Sequence, residues 1–404
     1  MLYYLFKYLQ TIDFPGANLF NYITFRAAMG FLTAILVSFI FGTKIIHFLQ
    51  KKQIGENIRD LGLEGQTKKQ GTPTMGGIIL ILSTLLSLFL FSDIFNIYII
   101  IMIITTILLG TLGLADDYIK IFKKNKEGLS PRYKLIAQFS TGLIVALMII
   151  FSNNIRVAHV QRTIDKQTKQ VNVKFVEEKS LETTIPFLKE NQLNYGKIFH
   201  IDGKPVNWAN YLFYVTLVIF IIMAVSNGVN LTDGLDGLAA GTSTAAMSTL
   251  VVFAYVSGNY LLASYFNVLY IPSIGEMVVF TATFIGAMVG FLWYNAFPAK
   301  VFMGDTGSLT IGGIIAVSSI LIRKELLIPI FGGIFLAESL SVMLQVYYFK
   351  YTKRKYGEGR RIFLMSPLHH HYQKKGVPEP RIVTRFIIIA IFLAVVSLIT
   401  LKIR

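Results

Sequence analysis

No cysteine occurs in the 404 residues. That excludes disulfides, thiol nucleophiles and cysteine-ligated metals, and it leaves the compartment open. Charge is scarce as well. Only 15% of residues are Asp, Glu, Lys or Arg, against about 25% in a soluble globular domain. Acidic residues are the scarcer sign, 22 against 38 basic ones, for a formal net charge of +16. The opening stretch, Met1 to Gly16, has one Lys and no small-residue cleavage site. It reads as a short interfacial helix and not as a cleaved signal. There is no internal repeat and no low-complexity segment.

Apolar residues make up 54% of the chain, with a mean hydropathy of +0.59. They gather in runs of about 20, the length that crosses a bilayer as a helix. We expect ten spans, at 21–49, 75–93, 97–115, 132–152, 209–226, 237–257, 276–296, 308–323, 326–350 and 382–401. The class is therefore an all-α polytopic membrane protein, read as one integral membrane domain over 1–404. The basic excess is explained first by the positive-inside rule, so nucleic acid is not implied. Lys51, Lys52, Arg59, Lys68 and Lys69 follow span one; Lys120, Lys123, Lys124, Lys126 and Arg132 follow span three. Lys353, Arg354, Lys355, Arg360, Arg361, Lys374, Lys375 and Arg381 follow span nine. Loops after odd spans are then cytoplasmic, and both termini lie outside.

The 153–207 connection is extracytoplasmic by that parity. Val171 to Val176 alternates like a strand, and Asp202-Gly203 is a hairpin-turn signal. We expect a small β-rich insert there, holding His159 and His200 without assigned chemistry.

The polar residues gather at the predicted cytoplasmic ends. Span three closes on Gly113-Leu114-Ala115-Asp116-Asp117-Tyr118-Ile119-Lys120. Adjacent carboxylates at the end of a membrane-length run are costly, and such groups mark function. The helix C-terminal dipole opposes their charge, so a cation, a metal or Lys120 one turn on, should compensate. Consecutive helical residues point about 100° apart, so the two Asp should do different jobs. Lys68 to Gly77 enters span two, where free N–H groups favour an anion and Thr72 or Thr74 can cap. Asn227, Asn230, Asp233 and Asp236 recur every three residues between spans five and six, sharing one face if helical. Asn295 closes span seven, and Gly304-Asp305-Thr306-Gly307-Ser308 opens span eight, with Asp305 as an N-cap candidate. Pro367-Leu368-His369-His370-His371 lies in the last cytoplasmic loop. Its histidines lack zinc-finger spacing but can donate to phosphates. Read singly, most of these stretches pass as capped helix ends, polar turns or surface runs. Together they put five aspartates in a basic face, the make-up of a Mg²⁺-dependent site for phosphate esters.

At these residues the chain resembles the phospho-N-acetylmuramoyl-pentapeptide transferases, within the polyprenyl-phosphate N-acetylhexosamine-1-phosphate transferase superfamily. Asp116-Asp117-Tyr118-Ile119-Lys120 fits the superfamily's Asp-Asp-x-x-Lys motif, and Asn227 to Gly237 and Gly304 to Ser308 fit its other two acidic motifs. Gly71-Thr72-Pro73-Thr74-Met75-Gly76-Gly77 and the triple histidine are specific to the muramoyl branch. The resemblance covers nearly everything outside 153–207. It implies ten helices around a cytoplasmic cleft in the bacterial cytoplasmic (inner) membrane. It implies transfer of phospho-MurNAc-pentapeptide from UDP-MurNAc-pentapeptide to undecaprenyl phosphate, giving lipid I and UMP. It implies Asp305 as the Mg²⁺ ligand, with Asp116 and Asp117 handling the lipid phosphate and the diphosphate. Substrate contacts map onto Lys69, Thr74, Lys120, Asn230, Asp233, Asp236, Asn295, Gly304, Ser308, Gln345, His369, His370 and His371. Membrane lipid and a second copy of the chain are its expected partners. The insert is longer than the family's short hairpin, and Gln373 stands where relatives often carry Glu. The rival readings are a UDP-HexNAc transferase to another polyprenyl phosphate, a transporter, and an inactive scaffold. A transporter should carry its charges near mid-bilayer in repeated halves, which this chain does not.

Overall fold

The computed structural model describes residues 1–52, 71–123, 125, 127–164, 171–185, 192–201 and 204–402. In chain order the helices are α1 (Leu2–Gln10), α2 (Ile23–Lys51), α3 (Gly77–Phe91), α4 (Ile97–Phe122), α5 (Pro131–Phe151), α6 (Asn207–Thr232) and α7 (Leu238–Gly258). There follow α8 (Tyr260–Phe266), α9 (Gly275–Asn295), α10 (Gly304–Leu321), α11 (Ile328–Phe331), α12 (Gly333–Tyr356), α13 (Leu368–Lys374) and α14 (Glu379–Ile399). Among the described residues eight helices are long and apolar enough to cross a membrane: α2, α4, α5, α6, α7, α9, α10 and α14. The segment Glu325–Phe331 with α12 makes a ninth if its 79° bend is counted as one broken span. The expected span 75–93 is realised as α3, 15 residues long. At 1.5 Å per residue that is about 22 Å, shorter than the hydrocarbon core.

α10 is the axis of the bundle. It is apolar all round and buried through nearly its whole length, as an innermost helix must be. Its neighbours approach at small residues, because lipid gives helices no hydrophobic push together and close packing must serve. Gly77 of α3 faces the backbone of Gly307, and Gly113 of α4 faces the backbone of Asp305 and Thr306. A Cβ at Gly312 would stand 2.5 Å from Ser226 Cα on α6. Leu36, Ile40, Phe220 and Phe392 are exposed on outer helices, where a lipid-facing surface belongs.

The insert is β-rich, as expected, and among the described residues it holds three antiparallel pairs. These are β1 (Val157–Ile164) with β2 (Val171–Glu178), β3 (Glu182–Thr184) with β4 (Gln192–Asn194), and β5 (His200–Ile201) with β6 (Lys204–Pro205). The Asp202-Gly203 signal lies outside the described residues, between β5 and β6.

Arg323-Lys324-Glu325, where the expected spans 308–323 and 326–350 meet, is buried beneath this insert. Arg323 adopts φ +59° just past α10, and Lys324 N–H donates back to Ser319 O at 2.8 Å, closing the helix with a left-handed cap. Arg323 Nη2 donates to Ser180 O (3.0 Å), Lys324 Nζ to Thr184 Oγ1 (3.0 Å), and Tyr195 Oη to Glu325 Oε1 (3.0 Å). The charges are tolerated because each finds a partner in the insert. The far end of α10 is thereby anchored, and its N-terminus is left to build the site.

Candidate active site

α4 runs on to Phe122, so Asp116 and Asp117 stand inside the helix and not at its end. Both are buried, at 0% and 2% exposure. Their partners differ, as the 100° step requires.

Asp117 serves the N-terminus of α10. Its Oδ1 accepts from Asp305 N–H (3.1 Å); its Oδ2 accepts from Thr306 N–H (3.0 Å) and Thr306 Oγ1 (2.6 Å). A helix start carries unsatisfied N–H groups and partial positive charge, and a carboxylate is the natural partner. This corrects the expectation that Asp305 caps its own helix. The cap position is Met303, Asp305 sits in the first turn, and the capping carboxylate comes from α4. Gly304, at φ +72°, lets the chain pass, since a Cβ there would lie 2.5 Å from Asp117 Oδ2.

Asp116 faces cations. Its Oδ2 pairs with Lys120 Nζ at 2.6 Å and its Oδ1 with Lys134 Nζ at 2.9 Å, while Leu129 N–H donates to Oδ1 at 2.7 Å. Lys120 thus supplies the compensating charge expected one turn on. Both ammonium groups also meet Asp305 Oδ2, Lys134 at 2.6 Å and Lys120 at 3.2 Å. Asn230 Nδ2 donates to Asp305 Oδ1 (3.0 Å) and Ser308 Oγ (2.8 Å), and Ser308 Oγ donates to Gly304 O (3.0 Å). Three carboxylates against two ammonium groups leave a deficit of one positive charge. One carboxylate oxygen from each of Asp116, Asp117 and Asp305 lies within 4.8 Å of the others. That is a hard-oxygen donor set of the kind divalent cations such as Mg²⁺ take.

Lys134 was not among the residues picked from the sequence. The signal was present: a lysine four residues into an apolar helix that opens at Ser130-Pro131.

The remaining candidates are held by other contacts. Phe302 N–H donates to Pro73 O, and Gly76 and Gly77 N–H donate to Phe302 O and Met303 O, all at 2.8–2.9 Å. Neither Thr72 nor Thr74 therefore caps α3, whose first donors are met by backbone. Thr74 is buried, its Oγ1 beside Gly304. Lys69 lies outside the described residues. Asn227 and Asn230 share the end of α6, but that helix stops at Thr232, so Asp233 and Asp236 lie in the turn beyond it and the single-face expectation holds only for the first two. Asp236 accepts from Ala299 N–H (3.0 Å), and Asn295 bridges Gly237 N–H and Val301 O. These two brace the segment that delivers Asp305.

Gln345 Oε1 accepts from Ile362 and Phe363 N–H, both at 3.0 Å, holding the last loop against α12. The three histidines do not form a surface run. His369 is 1% exposed and packed on Glu338, whereas His370 and His371 are half-buried. His371 Nδ1 accepts from Leu364 N–H at 3.1 Å, which leaves the ring proton on Nε2. Burial and the Lys375 ammonium also hold the His371 ring below the ordinary imidazole pKa, favouring that neutral form.

A family model described as "Glycosyl transferase family 4" matches residues 99–323, and one described as "Phospho-N-acetylmuramoyl-pentapeptide-transferase signature 1" matches residues 69–81. Proteins named phospho-N-acetylmuramoyl-pentapeptide-transferase are similar along the full length of both chains. The one from Flavobacterium johnsoniae is 55% identical over 410 residues, that from Flavobacterium psychrophilum 56% over 412, and that from Parabacteroides distasonis 53% over 419, each covering 100% of both chains.

Proposed function

The chain belongs to the phospho-N-acetylmuramoyl-pentapeptide-transferase family, and from that premise we infer how its residues divide the work. The reaction is transfer of phospho-MurNAc-pentapeptide from UDP-MurNAc-pentapeptide to undecaprenyl phosphate, giving lipid I and UMP. A phosphate oxygen of the lipid attacks the sugar-bearing phosphorus, and the bond to the UMP oxygen breaks. Both substrates are polyanions, so catalysis is chiefly charge neutralisation and alignment.

The observation that carries the assignment is the different company of the three carboxylates. Asp117 is engaged by the α10 N-terminus through three donors, so its task is to fix where Asp305 stands. Asp116 is held mainly by two long lysine side chains. When substrate phosphates draw those ammonium groups away, Asp116 is freed to orient the lipid phosphate or take its remaining proton. Lys120 and Lys134 then hold non-bridging phosphate oxygens, and Asn230 and Ser308 keep Asp305 in its rotamer. Asp305, with Asp116 beside it, would hold Mg²⁺, whose charge offsets that of the diphosphate. We place the site on the cytoplasmic side of ten spans, because the basic loops fall at the same helix ends as Asp116 and Asp305.

Purified protein in detergent, given undecaprenyl phosphate and Mg²⁺, should release UMP from UDP-MurNAc-pentapeptide and not from UDP-GlcNAc, and chelation should stop it. Release from UDP-GlcNAc alone would keep the chemistry and overturn the substrate. No release from either donor by folded protein would move weight to a transporter or scaffold.

Lys134→Met supplies a sharper check. The lysine competes with a metal for Asp305 Oδ2 while also neutralising phosphate. Its loss should lower kcat/KM by about 100-fold and reduce the Mg²⁺ concentration needed for half-maximal rate. A higher Mg²⁺ requirement would show that Lys134 does not share that oxygen with the metal.

A further inference from the structure

Glu338 on α12 and His369 at the start of α13 form a sealed pair that the reaction as written leaves unused. Their side chains are 0% and 1% exposed, and His369 Nδ1 lies 3.2 Å from Glu338 Oε1. Among the described residues neither ring nitrogen and neither carboxylate oxygen has a hydrogen-bond partner, so the 3.2 Å approach is a contact of charge and shape. Buried ionisable groups persist only when matched to one another, so the two side chains hold each other in place.

On its other side the imidazole rests against bare backbone. A Cβ at Gly234 would overlap His369 Nε2. The ring is thus wedged between the α12 carboxylate and the 233–237 turn that carries Asp233 and Asp236. Gln345 lies seven residues after Glu338, two turns along the same face of α12, and pins Ile362 and Phe363. One stripe of α12 therefore fixes the last cytoplasmic loop at two points: Gln345 holds residues 362–363, and Glu338 holds the first histidine. The His370 ring then stacks edge-on against His369 at 4.2 Å between centroids.

We propose that Glu338 is a positioning residue for recognition of the nucleotide-sugar donor. Its carboxylate, 3.2 Å from His369 Nδ1, holds the ring in its seat against Gly234. That seat sets where His370, His371 and Asp233 stand when the donor binds. Glu338 itself touches no substrate. The proposal rests on the transferase reading above and on the substrate contacts that the resemblance assigns to these residues.

Glu338→Met removes the carboxylate at similar volume. It should raise KM for UDP-MurNAc-pentapeptide about tenfold or more, with kcat and KM for undecaprenyl phosphate close to wild type. Glu338→Gln, which keeps the shape and a polar oxygen facing Nδ1, should restore the donor KM. His369→Ala should raise the donor KM at least as much, and the double variant should be no worse than His369→Ala alone. An unchanged donor KM in folded Glu338→Met overturns the proposal, as does a Glu338→Gln variant equally impaired. So does a double variant whose defects multiply. Should Glu338→Met not fold, Glu338→Leu is the second variant, with the same rise expected and a wild-type donor KM overturning. Failure of the unmodified protein to turn over this donor would instead sink the transferase reading, so the two failures are distinguishable.

Discussion

Asp305→Ala should abolish turnover, by about 1,000-fold or more in kcat, while the protein keeps its fold. The size follows from what converges on this carboxylate. Lys134 and Lys120 both reach Oδ2, and Asn230 donates to Oδ1. Asp305 is also a member of the cluster able to hold a divalent cation. Removing it takes away the negative charge that organises both ammonium groups. The fold should survive because the α10 N-terminus is capped by Asp117, whose partners are the backbone N–H groups of residues 305 and 306 and the Thr306 hydroxyl. Those donors remain in the alanine variant. The measurement is UMP release across a Mg²⁺ titration, beside a melting curve in detergent. Activity recovered at saturating Mg²⁺ would remove Asp305 from the metal site. A collapsed melting temperature would show that its role is structural.

Gly113→Ala should be nearly as damaging, although it adds one methyl group and no charge. The new Cβ would lie 2.5 Å from Asp305 C and 2.5 Å from Thr306 Cα. Backbone cannot rotate aside as a side chain can, so α4 and α10 must separate. Overpacking of this kind costs about 1–3 kcal/mol. The geometric consequence is larger, because the displaced turn carries Asp305 and receives Asp117. A shift of about 1 Å at reacting groups can cost about 100-fold in rate. Thr111→Ala, two residues back on the exposed side of the same helix, is the control and should behave as wild type. Equal activity in both variants would mean that α10 is not held by close approach at Gly113.

These two expectations mark different depths of legibility. Asp305 stands out in the sequence because its chemistry is local: a carboxylate with flanking glycines opening an apolar run. Gly113 is one of 32 glycines, and nothing local distinguishes it. Its importance comes from a helix about 190 residues further along the chain. The same holds for Lys134, whose partner Asp305 is 171 residues away, and for Glu338, which reads as an isolated acid in an apolar helix.

The membrane class, the positions of most spans, the β-rich insert and the acidic motifs followed from the chain alone. Hydropathy, the two-residue strand period and residue chemistry act over one helix or one turn, and that range is readable in one dimension. Distance in space divided the labour. It gave Asp117 to the α10 N-terminus and Asp116 to two lysines, turned Asp233 and Asp236 out of helical register, and withdrew His369 behind Glu338. It also buried Arg323, Lys324 and Glu325 under the insert. Each of these depends on which groups meet once the helices have packed. Packing places side chains by the shape of the whole bundle, which no local pattern encodes.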